Sequence, residues 1–169
     1  AGGEVLQELT PMAAAAVARQ VREAGVSSAA VALLHAYRNP VHEHRLAAAL
    51  RREGIAYISL SHALTPSIKL LPRAQTALVN AYLAPVIDDY LARIRLPLAG
   101  ASSSLRVMTS AGGLAAAGQY QPKDSLLSGP AGGVVGAARI GEQLGFSRLL
   151  TLDMGGTSTD AARYDGGYD

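Results

Sequence analysis

The sequence predicts an α/β chain. Three observations carry that reading. Helical and strand patterns alternate through residues 1–60. The strand-like runs are continuous in apolar residues instead of alternating with polar ones. A later strand-like run ends on Asp153 and opens directly into Gly155-Gly156. Continuous apolar strands joined by helices are what a parallel layer covered on its faces requires.

Composition sets the outer bounds. A length of 169 residues suits one domain, or one domain plus part of another. Lys plus Arg is 15 against 13 for Asp plus Glu, a net charge of +2, too weak to indicate a nucleic-acid partner. The chain has no cysteine, which excludes a disulfide framework and a thiolate metal site and fits a cytoplasmic setting. No apolar stretch approaches the ~18 residues of a membrane span, so no membrane partner is expected. No charged region followed by an apolar one marks a secretory signal at the amino terminus. The chain opens at Ala1-Gly2-Gly3 without an initiator methionine and stops just after Asp165-Gly166-Gly167. We read it as an internal fragment of a longer protein.

Thr10-Pro11 opens the first helix and Gly25 closes it, with Ala14, Val17, Ala18 and Val21 on one stripe. Ala29 to Leu34 is a buried strand. Asn39-Pro40 starts a second helix, Val41 to Arg52, closed by Gly54. Ile55 to Leu60 is the next strand, and the helix–strand–helix–strand order predicts parallel pairing. Ser61 to Pro72 reads as irregular, with Pro66 and Pro72 as breakers. A long helix follows from Ala74 to Ile94, with Leu78, Tyr82, Leu83, Val86, Ile87, Tyr90, Leu91 and Ile94 at helical spacing. Pro85 should end or kink it. Leu105 to Met108 is a short strand that ends in the turn Ser110-Ala111-Gly112-Gly113, and a loop-rich part runs on to Ser128. A small-residue helix then extends to Leu144, with Gly145 as its stop. Gly132, Gly133 and Gly136 inside it cost about 1 kcal/mol each against alanine, and predict close packing of another backbone. Arg148 to Asp153 is a strand, and Asp160 to Tyr164 pairs back antiparallel.

Between those last two strands lies Asp153-Met154-Gly155-Gly156-Thr157-Ser158-Thr159-Asp160. Paired glycines permit positive φ and close ligand approach. Successive amides in such a turn form a concave anion site. A carboxylate at the strand end suits Mg²⁺, which keeps several waters and takes few carboxylates. On these residues alone a phosphate loop and a plain hairpin turn rich in small polar residues stay equally open.

The order of segments adds to this. The helix Ser128-Gly129-Pro130-Ala131-Gly132-Gly133-Val134-Val135-Gly136-Ala137, followed by the loop, resembles the connecting helix and second phosphate loop of the actin, Hsp70 and sugar-kinase superfamily. More closely, the chain resembles the hydantoinase A/5-oxoprolinase family. Leu33 to Glu43, Ser59-Leu60-Ser61-His62, Val79 to Val86 and Ser110 to Gly113 are similar to family segments in the same order. It departs from the family at Ala63 to Ser67, which lacks an acidic residue, at Ala111, where Asn is usual, and at Ala74-Gln75-Thr76-Ala77.

The resemblance implies an actin-like, ribonuclease H-like fragment: residues 1–65 close the first lobe and 66–169 begin the second. It implies an ATP-dependent hydrolase of cyclic amides, acting on a hydantoin or 5-oxoproline. The ATP-dependent ketone carboxylase subunit of the same family and a non-catalytic nucleotide-binding or structural module are the alternatives. ATP and Mg²⁺ are the implied cofactors of the full-length enzyme, and a second hydantoinase subunit and an oligomer are allowed. The isolated chain is expected to be inactive, because a first phosphate loop and an adenosine-binding segment lie outside it. Asp153 and Ser158 take the catalytic roles, with Asp153 holding Mg²⁺ through water. Gly155, Gly156, Thr157, Ser158 and Thr159 bind the nucleotide phosphates, and Asp160 either joins them or fixes the turn.

The remaining candidates read as structural. Gly129, Gly132, Gly133 and Gly136 are assigned to packing. His42 and His44 flank Glu43 without sharing a helix face, and are assigned to surface or capping roles. His35 and His62 follow strands, where α/β ligand crevices lie, but are assigned as satisfied structural histidines. Ser110, Gly112 and Gly113 are turn residues, and no serine sits in a nucleophile elbow.

Overall fold

The computed structural model describes residues 3–98 and 104–167. The extreme ends, on which the fragment reading rests, lie outside the described residues. Helix α1 (Pro11–Glu23) starts where Thr10 accepts a hydrogen bond from the Ala13 amide, and it ends before Gly25 at φ +70°. Strand β1 (Ser28–Val31) leads to helix α2 (Val41–Arg52), and strand β2 (Tyr57–Leu60) pairs with β1 in parallel. A single helical turn, α3 (Ser61–Leu64), and the long helix α4 (Leu70–Leu98) follow. Ala14, Ala18, Val31, Ala49, Leu50 and Ile55 form the buried core between the helices and the strand pair. Val17, expected in that core, is 40% exposed, because the smaller Ala14 and Ala18 make the close contact.

Strand β1 stops three residues short of the expected Leu34. The reason is chemical: both polar groups of the Leu33 peptide are taken by side chains. Its N–H donates to Glu43 at 2.9 Å and its carbonyl accepts from Arg73 at 2.8 Å. The segment that follows turns helically instead of extending, with Asn39 N–H bonded to His35 O.

Two prolines do not break α4. Pro72 falls in its first turn, where a missing N–H costs nothing. Pro85 sits mid-helix, and the helix runs through it because Ala77, Ala81 and Ala84 before it and Leu91 after it are all buried. The buried face of α4 is thus alanine-rich. Leu78, Tyr82, Val86 and Tyr90, which recur at helical spacing, lie on the exposed side.

Two compact units result, Ala1–Ile94 and Arg95–Asp169. The first closes near the end of α4, whose small buried residues lie within it.

In the second unit, strand β3 (Arg106–Met108) pairs antiparallel with β4 (Leu114–Ala116), a strand hidden in what reads as loop. The turn between them places Gly112 at φ +78°, and its amide donates to Thr109 O. A 3₁₀ turn (Pro122–Ser125) precedes helix α5 (Ser128–Gln143). Strands β5 (Arg148–Met154) and β6 (Thr159–Asp165) then form an antiparallel hairpin. Leu149 packs so tightly on Gly141 of α5 that a Cβ there would lie 2.4 Å from Leu149 Cδ2. Tyr164, only 4% exposed, donates to Glu142 on the same helix. Close approach therefore falls at Gly141. A Cβ at Gly132 would merely touch Met108, while Gly129, Gly133 and Gly136 face open space among the described residues.

Candidate functional site

The β5–β6 hairpin has one covered face. Leu149 and Tyr164, partners across the strands, sit under α5. Alternation then puts Thr151 opposite Ala162, and Asp153 opposite Asp160, on the same side further along. Leu150, Leu152 and Met154 point the other way and are 82%, 68% and 74% exposed. The expected buried strand is thus covered on one face only, because among the described residues no element packs on the far side of the two-stranded ribbon.

A cavity of about 700 Å³ opens between this hairpin and the amino-terminal half of α5. Thr151, Asp153 and Asp160 line one wall, and Pro130, Gly133 and Val134 the other. Ser110, from the β3–β4 turn, reaches its rim. Helix α5 starts from Leu127 at φ +59°, and its first turn lines the cavity. A helix amino terminus carries partial positive charge and unpaired amides, and so favours an anion. The two carboxylates opposite it disfavour one. A metal–anion complex satisfies both walls together.

The turn itself is tight. The Gly155 amide donates to Ser158 O at 2.9 Å, so this amide is spent inside the hairpin. Neither Gly155 nor Gly156 takes a positive φ, contrary to the reason for which paired glycines were expected. The Gly156 position is open space for a Cβ. Among the described residues, no hydrogen bond or ion pair engages the side chains of Asp153, Thr157, Ser158, Thr159 or Asp160, all of which are exposed. Asp160 therefore does not fix the turn through a side-chain bond.

A second constellation lies in the first unit and was not assembled from the sequence. Glu43 in α2 is fully buried. It accepts from Leu33 N–H at 2.9 Å, Ser61 Oγ at 2.5 Å and His62 N–H at 3.2 Å, and its Oε2 lies 2.6 Å from His62 Nδ1. Arg73, also fully buried, approaches Glu43 at 3.5 Å and donates to Ser61 Oγ. Burial alone would raise the Glu43 pKa, but the hydrogen bonds from Ser61, His62 and Leu33 outweigh it and hold the carboxyl below its usual range. Ser61 is no nucleophile: its hydroxyl is committed to Glu43 and Arg73. The legible signal was a charge on an apolar stripe, since Glu43, Ala47 and Leu50 share one face of α2 and Arg73, Ala77 and Ala81 one face of α4.

The other histidines differ. His42 Nε2 accepts from the Leu9 amide at 3.1 Å and pins the segment before α1 to α2. His44 stacks edge-on against His62, with ring centroids 4.7 Å apart. His35 is exposed at φ +59° and lines a separate groove with Gln7 and Asn39.

The α/β order, the hairpin and the cavity under α5 define a piece of an actin-like ATPase fold. Comparison with known proteins is specific. Residues 73–169 match the Hydantoinase/oxoprolinase family, and residues 1–54 match the Hydantoinase/oxoprolinase N-terminal region. The chain belongs to the hydantoinase/oxoprolinase family. It is 43% identical over 148 residues to 5-oxoprolinase 1 of Arabidopsis thaliana, covering 86% of this chain and 12% of that protein. The crystal structure of the ATP-dependent caprolactamase from Pseudomonas jessenii superposes with a TM-score of 0.84 at 31% identity, covering 96% of this chain and 24% of that one. Acetone carboxylase in its nucleotide-free structure gives a TM-score of 0.81 at 29% identity, covering 92% and 23%. The chain thus spans about an eighth of the length of the 5-oxoprolinase.

Proposed function

We propose that this chain carries one half of the nucleotide site of an ATP-dependent cyclic-amide hydrolase. The observation that supports it most is the pairing of Asp153 with Asp160 at a cavity whose other wall is the amino-terminal half of α5. Mg²⁺ held through water by Asp153 would neutralise the carboxylates and let phosphate oxygens meet the helix end. Ser158 and Thr157 hydroxyls would bond the γ-phosphate, and Thr159 and the open Gly156 edge would bound it. Gly155 contributes closeness of backbone instead of an amide, since its N–H is taken. The donor set fits the ion: carboxylate and hydroxyl oxygens that no protein group engages among the described residues.

ATP supplies a phosphoryl group that activates the amide oxygen of the ring. The chain's own residues contribute placement and electrostatics, as phosphoryl transfer requires. Hydantoin and 5-oxoproline are the candidate rings, in keeping with the relatives' names. The caprolactamase relative is named as a subunit alpha, which favours a second subunit here too. Among the described residues no helix is long and apolar enough to cross a membrane, and the cysteine-free sequence suits the cytoplasm.

The test is ATP hydrolysis by the intact protein with and without hydantoin or 5-oxoproline. Ring-dependent phosphate release supports the hydrolase. Release that depends on a ketone and bicarbonate supports the carboxylase, which the acetone carboxylase likeness keeps in play. Release that depends on neither supports a nucleotide-binding module. The isolated chain, holding half a site, should bind ATP weakly, and tight binding by calorimetry would contradict the half-site.

A further inference from the structure

We propose that Ser110 is a nucleotide-binding residue: the β3–β4 turn forms a third wall of the cavity under α5, and the Ser110 hydroxyl donates there to a phosphate oxygen. The identity of the ligand rests on the half-site reading above. What is added is a binding residue outside the phosphate loop.

The lining of the cavity singles out this hydroxyl. The side chains there that can hydrogen-bond are those of Ser110, Thr151, Asp153 and Asp160. An ionised carboxylate accepts and cannot donate. The Thr151 hydroxyl is spent across the hairpin on Ala162 O at 3.4 Å. Ser110 is left, and among the described residues its hydroxyl engages no protein group. Thr157, Ser158 and Thr159 stand at the tip of the hairpin, outside this lining. Ser110 therefore supplies a donor within the cavity that the phosphate loop does not.

The turn holds its backbone in place. The Ser110 amide donates to Asp124 O at 2.9 Å, which ties the turn to the 3₁₀ segment before α5. The Thr109 amide donates to Gly113 O at 2.8 Å, and the Thr109 hydroxyl reaches the same carbonyl at 3.1 Å. The hairpin is also seated on α5. A Cβ at Gly112 would lie 3.0 Å from Val135 Cγ2, and one at Gly132 would lie 3.4 Å from Met108 Cγ. Ser110 is thus fixed against the helix whose amino-terminal half is a cavity wall. A short side chain on a fixed backbone loses little freedom on binding, which is the advantage of preorganisation.

The surrounding charges favour a phosphate oxygen as the acceptor. The helix end on one wall is a seat for an anion, from which a neutral ring carbonyl gains little. The carboxylates of Asp153 and Asp160 on the other wall require that the anion arrive with a cation. A hydroxyl adds a donor without a charge that would compete with that cation. Its bond to an anionic oxygen is charge-assisted, and so stronger than one to a neutral acceptor.

The experiment measures Mg²⁺–ATP binding to the intact protein by calorimetry without ring substrate, for the parent, Ser110→Ala and Ser110→Thr. Ser110→Ala should raise Kd about 10-fold, the loss of one hydrogen bond to a charged group. Its unfolding midpoint should stay at the parent's, because Ser110 is exposed. Ser110→Thr keeps the hydroxyl and should bind as the parent does. In turnover, Ser110→Ala should raise the KM for ATP and leave that for the ring unchanged. An unchanged Kd in Ser110→Ala would overturn the proposal, as would equal losses in both variants or a rise in the ring's KM alone. A loss that follows a lowered unfolding midpoint would make Ser110 structural and overturn it too. A parent protein that binds no Mg²⁺–ATP would overturn the half-site reading itself, and this proposal with it.

Discussion

Asp153 and Asp160 stand directly opposite each other on neighbouring strands of the β5–β6 hairpin, with no protein cation engaging either carboxylate among the described residues. Like charges in that position repel across a few ångströms. Asp160→Asn should therefore stabilise the chain by about 0.2–1 kcal/mol in urea unfolding without Mg²⁺. A less stable variant would place Asp160 in a supporting contact instead.

The buried Arg73–Glu43 pair predicts the opposite sign. Arg73→Ala leaves an anion with no countercharge in the interior and should cost about 3–5 kcal/mol. Pairing Arg73→Met with Glu43→Gln should cost clearly less than the two single changes summed, because both charges leave together. Additive losses in a double-mutant cycle would show that the two side chains act independently.

Glu43 also gives a pH dependence. Its folded pKa lies below the usual 4.5, so it contributes stability that is fully present above that value and is lost as pH falls through the folded pKa. Glu8, held down by its hydrogen bond from Arg45, acts in the same direction at the surface. Stability should decline below about pH 4.5, and Glu43→Gln should flatten the decline. An unchanged acid limb in Glu43→Gln, followed by urea unfolding across pH, would contradict this.

Glycines along α5 divide into two kinds. A Cβ at Gly136 meets nothing, so Gly136→Ala should gain about 0.5–1 kcal/mol in helix propensity. At Gly141 the new methyl would strike Leu149, so Gly141→Ala should gain nothing. Thermal unfolding of the pair decides, and equal gains would mean that Leu149 moves aside freely.

Much of this was legible in the sequence because local chemistry carried it. Thr10-Pro11, Gly25, Gly54 and Gly145 marked helix ends, and Leu149 to Tyr164 formed the expected hairpin. The failures have a common cause. Leu78, Tyr82, Leu150 and Leu152 look like core by hydropathy, yet burial is set by tertiary partners that a helix or strand pattern does not name. Conversely, Glu43 and Arg73 look like surface, yet each is buried by donors and acceptors from segments distant in the chain. The phosphate-loop residues were found as a string, whereas the spent Gly155 amide and the bare α5 wall emerged only in three dimensions.

The central claim is that Asp153 serves the nucleotide and not the fold. Its side chain is exposed and, among the described residues, no protein group engages it, so its loss should leave the hairpin intact. The direct measurement is ring-dependent ATP hydrolysis by intact Asp153→Ala beside its unfolding midpoint. The account predicts turnover abolished and the midpoint unchanged. Turnover equal to the parent's would contradict it.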